Sequence, residues 1–217
     1  LGFALQGGFL SSLERFDAAS FGVAPTEALA MDPQQRQLLE VGYAAIHGSG
    51  QRRASLASVG CGVFVGIEHL DWQLLQALQT SRTVLQRSAT YAASGEQPHV
   101  ASGRLAFVLD VHGPSMSINT ACSSALVAVH NAVTSVRALE CVGSLAASVK
   151  VMLMAFGIDG LILARDGRSK SFDARADGYG RSEATAAVRL DSDGSEIGLV
   201  GGSGVQSGGR AASSVSY

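Results

Sequence analysis

The stretch from Ser115 to Leu139 constrains this chain more than any other. Ser115-Met116-Ser117-Ile118-Asn119 alternates with period two, the pattern of a strand. Thr120-Ala121-Cys122-Ser123-Ser124 follows with no spacer, and then Leu126, Val129, Val133 and Val136 recur at helical spacing. Ala125, Ala128 and Ala132 lie between them, so the helix is expected to be deeply buried. A strand that turns sharply into a helix puts Cys122 at the elbow. Unpaired backbone N–H groups and the positive end of the helix dipole favour thiolate over thiol there, and the thiolate is the nucleophile. The same N–H groups suit a developing oxyanion. This arrangement points to acyl transfer through a thioester. The competing reading is a small, inert cysteine packed between strand and helix.

The rest of the chain supplies alternating strands and helices. Asp32 is a good N-cap and Pro33 suits the first helical position, with Leu38, Leu39, Tyr43 and Ile46 following at helical spacing. This predicts a helix over 33–47, ended by Gly48 and Gly50. Residues 59–66 read as a short buried strand, 70–80 as a helix, 91–97 as a turn and 100–109 as a helix. Strands are expected at 142–153, 184–190 and 197–205, the last two joined by a turn at 191–194. The mixture argues α/β or α+β. With 217 residues, 47% of them apolar, the chain can build a substantial core. A charged content of 16% argues against disorder, and a net charge of −2 against a strongly basic nucleic-acid binder. The most apolar stretch, 141–164, is broken by Lys150 and Asp159, so no membrane span is expected. Three cysteines make no disulfide framework and fit a reducing, intracellular setting.

Other candidates carry less. Cys61 and Cys141 lie in or beside apolar strands and read as inert core residues, and the cysteine spacing does not suit zinc. Of the histidines (His47, His69, His99, His112 and His130), only His130 follows Cys122 on the same helix. Eight residues of helix are about 12 Å, too far for a direct base. Gly60, Gly62 and Gly66 miss the dinucleotide fingerprint by one residue and read as a close-packed strand end. Residues 166–183 form a polar stretch with charges of both signs, which lines a site or bridges core elements.

Four stretches carry a family resemblance. They are FDAASFGVAPTEALAMDPQQRQLLEV at 16–41, GVFVG at 62–66, ASGRLAFVLDVHGPSMSINTACSSALVAVH at 101–130 and GRSKSFDARADGYGRSEA at 167–184. In this order, and above all through TACSSAL at 120–126, the chain resembles a beta-ketoacyl synthase (ketosynthase) domain of a type I polyketide synthase. The resemblance implies an α/β, thiolase-like fold, layered α/β/α/β/α, of which this chain is the N-terminal half. It implies an acyltransferase within a multifunctional enzyme of polyketide or fatty-acid biosynthesis. Cys122 matches the nucleophile. The implied reaction is a decarboxylative Claisen condensation of an acyl-cysteine with a malonyl-type extender on an acyl carrier protein. No cofactor or metal is expected on this segment, since the phosphopantetheine arm belongs to the carrier. A homodimer is expected in the parent, with Ser115–Asn119 near its two-fold axis. The expected location is the cytoplasm, or a plastid in a eukaryote.

The family also uses two histidines, one in an H-G-T-G-T motif, and neither motif occurs here. Residues 1–217 are therefore expected to be a partial domain, truncated at both ends and inactive in condensation by itself. Its uncovered strand predicts poor solubility or a partly molten state. There are departures from the family pattern. Asn119 stands where Asp is usual, Ser169 replaces a frequent Cys, and Ser182 and Ala184 replace the glycines of R-G-E-G. The stretch between Leu153 and Asp166 is a few residues short. These departures keep open a second reading, a degenerate domain that serves dimerisation or carrier docking.

Overall fold

A computed structural model describes residues 7–50, 60–68, 71–78, 91, 94–154, 163–192 and 198–207. Helix α1 (Pro25–Ala30) leads into α2 (Pro33–Gly48), whose first turn is capped as expected: the Gln34 N–H donates to Asp32 Oδ1 at 2.8 Å. Strand β2 (Cys61–Gly66) is buried on both faces, as a central parallel strand must be. Helix α3 (Asp71–Leu78), a short 3₁₀ turn (Pro98–Val100) and helix α4 (Ala101–Leu109) precede β3 (Ser115–Ile118). Helix α5 (Ser124–Arg137) and strand β4 (Gly143–Lys150) follow. The chain then forms β5 (Arg181–Ser182) and β6 (Ala184–Asp191), with β5 pairing a two-residue strand β1 (Gly7–Gly8).

The main sheet has the order β3-β2-β4-β6. Strands β3 and β4 run parallel to β2, and β6 is antiparallel to β4. Strand alternation sorts the core into two layers. Val63, Val65, Leu145, Ala147 and Val149 face α2 and α4, where Leu38, Leu39, Ile46 and Leu105 are buried with them. Phe64 and Ala146 face the other way, against Ala128 and Ala132 of α5. This three-layer α/β/α unit agrees with the expected α/β class.

Three expectations are corrected. Helix α5 is not deeply buried: Ser124, Ala128, Ala132, Val133, Ser135 and Val136 form one buried stripe, while Leu126 on the outer side is 74% exposed. Small residues allow close packing on any side of a helix, but among the described residues the sheet covers one side of α5. Residues 198–207 form no strand and are exposed. Gly198, Gly201, Gly202 and Gly204 weaken the strand propensity of that segment. Strand β4 ends at Lys150 rather than 153, because side chains rather than a neighbouring strand take up the next backbone N–H groups. The short stretch between Leu153 and Asp166 and the turn at 191–194 fall largely outside the described residues.

Candidate functional site

The elbow between β3 and α5 is built by short-range polar bonds. The Ser124 hydroxyl donates to the Ala121 carbonyl at 2.7 Å and accepts from the Thr120 N–H at 2.9 Å. The Ser123 hydroxyl donates to the Thr120 carbonyl at 2.8 Å and bonds Thr120 Oγ1 at 2.9 Å. Asn119 Oδ1 accepts from the Ala121 N–H at 3.0 Å. The asparagine at this departure from the family pattern thus offers the acceptor that holds the turn. These bonds keep Ala121 in the left-handed region at φ 52°, which a non-glycine residue enters at a cost of about 1 kcal/mol or more.

The outcome is an exposed Cys122 side chain two residues before the helix start. Ser123 turns its hydroxyl back to Thr120 and makes no side-chain cap on α5, while the Ser124 N–H donates to the Ala121 carbonyl at 3.2 Å. The elbow thus lies next to the positive end of a helix of 14 residues. Gly66 lets this helix start sit directly on the sheet. A Cβ there would fall 2.8–2.9 Å from the backbone of Ser124 and Ala125. The inert reading of Cys122 as a packed core cysteine does not agree with its exposure.

The other two cysteines are buried as expected. Burial pushes the Cys61 thiol up, although the Arg189 guanidinium reaches its sulfur at 3.3 Å. Cys141 lies against the Ser135 hydroxyl at 3.5 Å. The histidines are dispersed. His130 Nδ1 bonds Ser203 Oγ at 3.0 Å, His47 stacks on Tyr43, and His112 faces solvent near Asp110. His69 lies outside the described residues. Among the described residues no group of three His, Cys, Asp or Glu side chains is arranged to hold a metal ion, and no helix is long and apolar enough to cross a membrane.

Sequence reasoning did not find the clamp at the carboxyl end of β4. Four consecutive backbone N–H groups there are taken by side chains from distant elements. Val151 donates to Gln34 Oε1 at 3.3 Å, Met152 to Glu183 Oε1 at 2.9 Å, and Leu153 and Met154 to Asp71 Oδ2 at 3.1 and 3.2 Å. Glu183 also accepts from the Leu10 N–H at 2.9 Å, and its own N–H donates to the Gly8 carbonyl at 2.7 Å. Ser182 and Ala184 flank this glutamate without disturbing either strand pairing. Ser169 is likewise accommodated: its hydroxyl accepts from the Gly180 N–H at 3.0 Å. The polar loop at 166–183 is ordered by internal ion pairs. Lys170 joins Asp177 and Asp166, which raise its ammonium pKa, and Arg175 joins Asp173. The motif letters of Gln34 and Glu183 were visible, but bonds across 117 and 31 residues leave no local pattern.

Residues 4–194 match the family model for the beta-ketoacyl synthase N-terminal domain. The chain is 42% identical over 179 residues to a partially reducing polyketide synthase of Talaromyces stipitatus, covering 81% of this chain and 7% of that protein. It is 40% identical over 190 residues to erythronolide synthase EryA2 of Saccharopolyspora erythraea, covering 86% of this chain and 5% of that protein. Among solved structures, the oxazolomycin ketosynthase domain OzmH KS7 of Streptomyces albus superposes with a TM-score of 0.74 at 33% identity, over 85% of this chain and 33% of that one. A ketosynthase from module 6 of the bacillaene synthase of Bacillus subtilis superposes with a TM-score of 0.73 at 30% identity, over 85% of this chain and 31% of that one. The chain thus spans a small part of these synthases and about a third of the ketosynthase structures. It belongs to the beta-ketoacyl synthase family, matches that family's N-terminal domain and has the thiolase-like fold.

Proposed function

We propose that Cys122 is the acyl-accepting nucleophile of a condensing domain within a larger polyketide synthase. The exposed thiol on the strained elbow carries this reading. In the proposed reaction, Cys122 Sγ attacks the carbonyl of an acyl thioester on an acyl carrier protein, and the carrier's phosphopantetheine thiol leaves. A malonyl-type extender on a carrier loses CO₂. The resulting carbanion attacks the acyl-cysteine carbonyl, a carbon–carbon bond forms and the Cys122 thiolate leaves. The arm arrives with the carrier, so this segment needs no cofactor or metal of its own.

Residues 1–217 act in this reading as the nucleophile-bearing part of the domain. Two surfaces suit a larger assembly. Strand β3 is at the edge of its sheet and exposes Met116, which fits an edge that pairs across a homodimer. The outer side of α5, with Leu126, fits coverage by the rest of the domain. The second reading, a degenerate domain that serves dimerisation or carrier docking, differs in its outcome: Cys122 would take up no acyl group.

Intact-mass analysis tests the proposal. The chain treated with a small acyl thioester is expected to gain a single acyl group, and Cys122→Ala to gain none. An adduct that persists in Cys122→Ala overturns the assignment.

A further inference from the structure

Lys150 interrupts the most apolar stretch of a chain with few charges. It closes a strand whose first five residues are all buried. A lysine at such a position loses hydration, and burial pulls its ammonium pKa down. Residues placed at this expense are candidates for function.

The register shows which way Lys150 faces. On β4, the Ser144 hydroxyl donates to the Ala132 carbonyl of α5, and Ala146 packs with Ala128 and Ala132. Ser148 pairs with Gly66, the residue on which the backbone of Ser124 rests. Each two-residue step along β4, about 6.6 Å, is matched by a four-residue step back along α5, about 6 Å. One further step carries Lys150 past the level of the helix start at Ser124, on the sheet face that carries α5 and at the end of the sheet where the elbow lies. Its ammonium is 3.8 Å from Glu68 Oε2, with both side chains about a third to two-fifths exposed. Asp71 also favours the ammonium, whereas Arg181 opposes it.

We propose that Lys150 is a charge-selecting positioning residue for Cys122, which draws the carboxylate of an acidic acyl thioester to the face of the sheet that carries the nucleophile. The inference rests on the reading of Cys122 as the nucleophile. In the reaction proposed above, the extender carboxylate is the anion that must come close to the acyl-cysteine. Glu68 tempers the attraction, so the ammonium exchanges one carboxylate for another.

The test compares alkylation of Cys122 in the whole chain by iodoacetate and by iodoacetamide. The two reagents are similar in size and differ in charge, and the rate is read on the Cys122 peptide. Lys150→Gln is expected to lower the iodoacetate-to-iodoacetamide rate ratio about threefold or more, with the iodoacetamide rate held within about twofold. Glu68→Gln is expected to raise the ratio. An unchanged ratio in Lys150→Gln overturns the proposal, and so does an equal fall for both reagents. If Lys150→Gln does not fold, an unchanged ratio in Glu68→Gln overturns it. Acylation by a neutral thioester is a separate arm. Its loss would remove the nucleophile reading, whereas an unchanged ratio with acylation intact removes only the role of Lys150.

Discussion

The two faces of the main sheet are built from different materials. Under α2 and α4 the core is made of large branched side chains, and Leu38, Leu39, Leu105 and Leu145 are all but inaccessible to solvent. Under α5 it is thin, with Phe64 and Ile118 set among alanines, and Leu126 on the far side of that helix is exposed. The first face holds the fold. The second brings a helix start close enough to the sheet to present a thiol. Large side chains beneath α5 would lift the helix start away from Gly66 and take the elbow with it.

The largest effects should separate the faces. Leu38→Ala or Leu145→Ala should cost about 2–5 kcal/mol, read from urea denaturation. Leu126→Ala on the outer side of α5 should stay within about 0.5 kcal/mol. Equal losses would break the comparison. Gly66→Ala should cost about 1–3 kcal/mol and slow acylation of Cys122, because its methyl group meets the Ser124 backbone. Gly103→Ala is the matched control, since nothing stands within 4 Å of its new methyl group. Ser124→Ala removes two bonds at the elbow and should cost about 1–2 kcal/mol.

The smallest effect concerns pH. Burial raises the Asp32 carboxyl to about 6, partly offset by the bonds from Gln34. The folded state therefore holds this proton more tightly than the unfolded chain does. The resulting stabilisation is fully present below the ordinary carboxyl pKa and is lost as pH rises through about 6. Relative to Asp32→Asn, the unaltered protein should gain about 1 kcal/mol between pH 7.5 and pH 5. Parallel urea-stability curves for the two proteins over that range would remove the claim.

The scaffold face was the more legible in sequence. Asp32-Pro33 marks the start of α2, and the leucines after it mark its buried side. The elbow at Cys122 was legible too, because a period-two segment runs straight into a helical one. The burial of α5 was misread because alanine reveals close packing without showing how many partners surround it. The segment after residue 197 has the apolar Leu199, Val200 and Val205 of a strand, yet nothing in a local pattern reports whether a sheet edge is there to receive it. The side chains that hold residues 151–154 come from three distant elements, and only folding makes them neighbours.

The most direct test of the account is to follow thiol labelling of the folded chain and map the products. The elbow is predicted to give one fast-reacting cysteine, Cys122, while Cys61 and Cys141 react only once denaturant opens the core. Fast labelling at Cys61 or Cys141, or a Cys122 no faster than they are, would contradict it.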